Sequence, residues 1–362
     1  MPTESVIDPA SLRQFGNAGK AFFLITDAAL APQFTIAESH YRIAEVVPVA
    51  PGADIGRLVS ELPDESAVLV AAPGCFVNGA DLDDIGGRRV AIMPCGSTPV
   101  RTDHLHHFLR VLRETDPAAQ EKQADRFFET MAGGAAVRLR DDRRGTLCDF
   151  DPADDGYVWN QQAGELQPGE QQIAPAGELS VLPMEITDFD PGRRLRLNGA
   201  VTLRGEPIVH AGYPGAPAAA QADLYARLAP LRRHPVVAEI EDGVIVGCRA
   251  ATDSPPAAAA AATLNELLTA EPGYRTVWEL GFGINTAMTT VPANCGLNEV
   301  YGADHGVVHL GLGLTPFTRF ALTFLCPDAR LTVGDETLIG PPAPVPAPGR
   351  LNRNRSGSCG CH

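Results

Sequence analysis

The sequence predicts an α/β protein: an N-terminal parallel α/β sandwich over residues 1–135, then an α+β domain over 136–340. Three observations lead there. Short apolar strands alternate with helical patterns in the first third. Beyond residue 135 the texture changes to alternating strands broken by one Ala-rich helix. The chain of 362 residues also exceeds the size of a single domain of about 150.

The elements follow in order. Ala21–Thr26, Ala67–Ala72 and Arg89–Pro94 read as buried strands bounded by Gly, Pro or Asp. Asp54–Leu62 carries apolar residues at helical spacing, and a long helix from about Thr102 to Met131 breaks near Asp116-Pro117. His104-Leu105-His106-His107 falls at its exposed start. Ala136–Arg140 and Leu195–Leu203 alternate as half-buried strands, and Val236–Gly247 is a hairpin turning at Asp242-Gly243. Asp253-Ser254 caps a helix that Pro255 opens and Ala257–Leu268 fills. Residues 341–362 form a Pro-rich, disordered tail ending in Cys359-Gly360-Cys361-His362, where thiolates and an imidazole offer ligands to a soft metal.

Composition narrows the function classes. A net charge of −15 disfavours nucleic acid and anionic membrane surfaces as partners. No apolar run approaches the ~18 residues of a membrane span. The acidic N-terminus lacks a secretion signal, and eight scattered Cys in a chain of this size suggest reduced thiols, so a cytoplasmic location is expected. No GxGxxG or GxxxxGK[ST] follows the early strands, which removes the basis for a nucleotide site.

Three segments carry candidate chemistry. Pro175–Pro183 presents Glu178 at a turn before a strand. Val277–Asn285 presents Glu279 followed by alternate glycines, which allow close approach of a backbone or ligand. Asn298–Gly313 places His305 and His309 in an apolar, Gly-rich run. Two carboxylates and an imidazole from separate segments suit a divalent cation. The competing assignment is a solvated turn Glu and a core His.

The order of these motifs resembles the metallo-aminopeptidase family (aminopeptidase T and S), whose fold is shared with 2,5-dihydroxypyridine 5,6-dioxygenases. Ala176-Gly177-Glu178 is similar to that family's first carboxylate turn, Glu279–Asn285 to its E-L-G-x-G-x-N segment, and Val308–Gly313 to its histidine segment. Glu299 stands where the family often has an acid. The resemblance implies a two-domain fold with a cleft, a metal site and a possible homodimer. It also implies an H-x-D pair on the strand after the histidine. There this chain reads Arg319–Cys326, with Phe320 and Leu322 at the expected positions and no His, Asp or Glu between His309 and Asp328.

Loss of two ligands argues against an enzyme, because a dinuclear site activates water with both ions. The resemblance then implies a catalytically degenerate member that binds a peptide in the former cleft without a cofactor. Such a member is similar to the peptide-binding proteins of crocagin-type ribosomal peptide biosynthesis. Its cleft residues are expected to be Glu178, Trp278, Glu279, Tyr301 and His309. The alternative is a metal-dependent peptidase or non-haem iron oxygenase holding one Fe or Zn through Glu178, Glu279, His309 and His305, the last only if the segment is helical. Cys326 is a soft substitute ligand or a buried structural thiol. A structural subunit of a modifying complex is the third reading.

Overall fold

In the computed structural model of the chain, the described residues are 5–16, 19–75, 85–94, 97, 102–186, 190, 192–211, 217–315 and 317–343. The first part comprises β1 (Ser5–Ile7), β2 (Ala21–Asp27), β3 (Phe34–Ile36), β4 (Ile43–Val49), α1 (Ile55–Glu61), β5 (Ala67–Ala71), β6 (Arg89–Ile92), α2 (Thr102–Glu114) and α3 (Pro117–Met131). There follow β7 (Val137–Asp141), β8 (Thr146–Asp151), β9 (Val158–Gln162), β10 (Gln171–Ile173), β11 (Glu178–Leu182), β12 (Arg196–Leu203) and β13 (Pro207–His210). The last part is α4 (Ala218–Leu228), β14 (Val236–Glu241), β15 (Val244–Ala250), α5 (Pro255–Ala270), β16 (Val277–Gly283), β17 (Val307–Leu312), β18 (Ala321–Cys326), β19 (Arg330–Val333) and β20 (Glu336–Ile339).

The mixed α/β class is the expected one. A five-stranded sheet in the order β10-β6-β5-β2-β4 is parallel throughout. Its central strands β2 and β5 are buried along their whole length, as a parallel sheet covered on both faces requires. Asp54 caps α1 by accepting from Arg57 N at 2.9 Å, and Asp116 accepts from Ala119 N at the start of α3. The helix break at Asp116-Pro117 therefore falls where expected. His104, by contrast, is buried, because the face of α2 that carries Leu105, Phe108 and Leu112 packs into the core. One strand crosses the 135/136 boundary: β10 pairs in parallel with β6, closing the first sheet with a segment from the second half.

The second half holds two larger sheets, β13-β18-β17-β16-β11-β9 and β15-β14-β12-β8-β7-β19-β20. The β14–β15 hairpin turns at Asp242 and Gly243, with φ of +46° and +72°, the two left-handed positions of a type I′ turn. Ser254 caps α5 as expected. One apolar core joins both sheets to α3, α4 and α5. No helix among the described residues is long and apolar enough to cross a membrane. The residues 359–362 lie outside the described ones.

Candidate functional site

Cross-strand register divides the six-stranded sheet into two unlike faces. Leu179, Val181, Leu280, Phe282, Val308, Leu310, Leu312, Leu322 and Phe324 share one face and enter the apolar core. Across the other face, Ser180 opposes Gly281, Gly281 opposes His309, Glu178 opposes Gly283, and Glu279 opposes Gly311, which in turn opposes Thr323. His210, at the end of edge strand β13, stands on that same polar face opposite Ala321.

Glycine makes the close approach possible. A Cβ on Gly281 would lie 1.9 Å from His309 Nε2, and one on Gly311 would lie 2.8 Å from the Glu279 Cβ. Both side chains therefore lie over bare backbone. The His309 ring is fully buried and its Nε2 donates to Glu178 Oε1 at 3.1 Å. Glu299, on the turn Gly296–Val300, accepts from His210 Nε2 at 2.9 Å and from Thr323 Oγ1 at 2.6 Å. Leu297 and Val300 on that turn anchor it in the first half's core.

Asn285 ties these parts together. It is 1% exposed, and its Nδ2 donates to Thr115 Oγ1, Pro175 O and Ala176 O at 2.7–2.8 Å. Its backbone N–H donates to Val300 O, so the turns bearing Glu178 and Glu299 are fixed by one residue. Gln120 adds a bond to Ala176 O.

The electrostatics follow from burial among like and unlike charges. Burial, and then the charge of Glu178, push the Glu279 carboxyl up to about 7. Burial alone would lower His309, but the hydrogen bond and charge of Glu178, aided by Glu279 and Glu299, hold it up to about 9. Burial opposes ionisation of Glu299 as well, yet His210 brings it down to about 2, and Glu299 in turn raises His210. The face therefore carries two carboxylate–imidazole pairs, with Glu279 bonded to the Ser180 hydroxyl.

Of the sequence candidates, Glu178, Glu279 and His309 come together, with one ligand atom from each within 4.8 Å of the others. His305 does not join them. The segment at His309 is a strand, and His305 sits exposed in the turn before it, lining a groove against α3. Trp278 is the extra residue of a bulge between Val277 and Glu279 and is 3% exposed, so it has no open ring for a peptide. Tyr301 packs against the first half's core and bridges Asn285.

Phe320 and Leu322, the expected positions of the H-x-D pair, do not face the site. Leu322 lies on the apolar face and Phe320 belongs to the same core. The residues of β18 that face the site are Ala321, Thr323 and Leu325, which bring one hydroxyl and no imidazole or carboxylate. Cys326 is buried and its thiol is pushed up to about 12 by desolvation, as a structural thiol would be. Sequence reasoning missed His210, whose only signal was a polar residue ending the short apolar run Pro207–Val209.

No known family profile and no curated protein matches the chain. Among solved structures, the fold is similar to 2,5-dihydroxypyridine dioxygenase from Pseudomonas putida KT2440. The TM-score is 0.54 at 14% identity, over 92% of this chain and 94% of that one. The chain thus has a dioxygenase-like fold.

Proposed function

We propose that the polar sheet face is a receptor for a cationic group, and that its ligand is the ammonium terminus of a peptide. One observation carries this. Of three carboxylates on the face, two are matched to imidazoles and Glu279 is not, so Glu279 with Glu178 beside it forms a buried anionic position that a cation completes. The Glu178, Glu299 and His210 side chains retain 11, 16 and 19% exposure, which leaves the face open to a ligand from one side. An ammonium group with three donors can take Glu178, Glu279 and the Ser180 hydroxyl together. On this reading the protein is a binding protein on an enzyme fold. Placing it in the maturation of a ribosomal peptide natural product rests on the resemblance of its motifs alone.

A divalent ion is the second reading, favoured by the 4.8 Å clustering of Glu178, Glu279 and His309. Two carboxylates and an imidazole suit Fe or Zn in type and number. The imidazole fits less well. A metal-bound His is ordinarily steadied through its other ring nitrogen, and His309 Nδ1 has no hydrogen-bond partner among the described residues. Were an ion bound, Glu178, Glu279 and His309 would hold it, and it would supply Lewis acidity.

The test pairs a titration with metal analysis. A short synthetic peptide is titrated with a free and with an acetylated amino terminus. Binding that acetylation abolishes, and that Glu279→Gln weakens about tenfold or more, is expected. Equal binding of the acetylated peptide overturns the proposal, as does a stoichiometric metal ion that disappears in Glu279→Ala.

A further inference from the structure

A second region of the molecule has a different charge logic. A cavity of about 640 Å³ opens beside the start of β13, where Arg232, Arg233 and His234 line it in sequence. Arg232 Nε donates to Ala229 O at 3.2 Å and lies 3.8 Å from Glu206, a carboxylate of the same wall that also accepts the Tyr225 hydroxyl at 2.5 Å, so the guanidinium NH2 groups remain for a ligand. Arg233 is exposed and forms no ion pair among the described residues. The arrangement stands out in a chain of net charge −15.

Two other cavities with basic walls hold closer ion pairs. Where Arg143, Arg144 and Arg249 meet, Asp328, Asp141 and Glu239 pair with them at 2.8–3.2 Å. In the groove along α3, Arg126 is paired to Glu336, and Asp125, Glu129 and Asp304 surround Lys122.

His234 is set up as a donor. Ser254 Oγ accepts from Ala257 N at 3.3 Å and from Thr252 Oγ1 at 3.2 Å. Its own hydrogen is therefore directed to His234 Nδ1, 3.1 Å away, which leaves the ring proton on Nε2. Two guanidiniums and an imidazole N–H then converge on one cavity, the donor set that oxyanions take with bidentate geometry. Pro230, Pro256 and Pro292 add apolar wall, so the space suits an anion carried on an organic body.

We propose that this cavity is an anion site, taking a carboxylate or phosphate group through Arg232, Arg233 and His234. It is independent of the peptide reading, since it shares no residue with the polar sheet face.

The test is calorimetric titration of the full chain with inorganic pyrophosphate and, separately, with citrate, each at constant ionic strength. Saturable binding of either is expected, weakened about tenfold or more in Arg233→Ala and unchanged in Arg249→Ala. Pyrophosphate binding alone identifies a phosphate ligand, and citrate binding alone a carboxylate. Arg233→Glu is the second variant, and at an exposed position it leaves folding intact. Absence of binding by both probes, or binding that both Arg233 variants retain, overturns the proposal.

Discussion

Gly281→Ala tests how the polar face is built. Gly281 does not need a left-handed backbone, so the alanine adds no backbone strain, and its whole effect comes from a Cβ placed 1.9 Å from His309 Nε2. Ordinary contact needs about 3.5 Å, so the ring must move well over an ångström or swing away from Glu178. Either movement breaks a buried charge-assisted hydrogen bond worth about 1.5–3 kcal/mol. The electrostatics give a similar size, because holding His309 at about 9 rather than 6.5 corresponds to about 3 kcal/mol.

The pH dependence fixes the sign. Below 6.5 both native and unfolded chains carry the His309 proton, and the contribution is present in full. As pH rises through 9 the native ring loses its proton and the contribution disappears. Urea unfolding between pH 5 and pH 9 should therefore show Gly281→Ala about 2–4 kcal/mol less stable at the acid end, with the difference shrinking toward pH 9. Proton–carbon spectra of the imidazoles should show the His309 titration moved down. In a His309→Ala background the same alanine should cost far less. Wild-type stability with His309 still titrating near 9 would refute the account.

Three other outcomes are expected. Affinity for a peptide amine should rise as Glu279 ionises through about 7 and fall once the amine itself loses its proton near about 8, giving a narrow bell in a pH series; a flat profile excludes Glu279 as the receptor. Asn285→Asp replaces a donor facing three acceptors with a carboxylate oxygen, and urea unfolding should show a loss of about 3 kcal/mol or more. His305→Ala should leave both peptide affinity and metal content untouched, since the ring is exposed in a separate groove.

Much of this site could be read from local signals. Glu178, Glu279 and His309 each stand near glycines in an apolar run, and the structure shows why: the Gly281 and Gly311 positions are where neighbouring side chains lie on the sheet. His210 gave no comparable signal, because its significance comes from Glu299, 89 residues away. Phe320 and Leu322, the positions at which the resemblance would set its H-x-D pair, face the core, and in a strand a shift of one residue exchanges faces. The alternation of Leu322 and Phe324 with Ala321, Thr323 and Leu325 separates the two faces once a neighbouring strand fixes the register. The brief strand Gln171–Ile173 has little intrinsic β preference and forms because β6 offers it a free edge.

That small strand imposes a schedule on the nascent chain. The first parallel sheet lacks its outer member until residues 171–173 have been made, so it leaves the ribosome with the β6 edge bare. At about 5–20 residues per second, the roughly eighty residues from Ile92 to Gln171 take some 4–16 s to synthesise. During that interval Val90, Ala91 and Ile92 expose unpaired amides and carbonyls to whatever strand arrives first. Residues 1–135 produced without the rest of the chain would keep the same unfinished edge. The first sheet is thus complete only when residues from both halves are present.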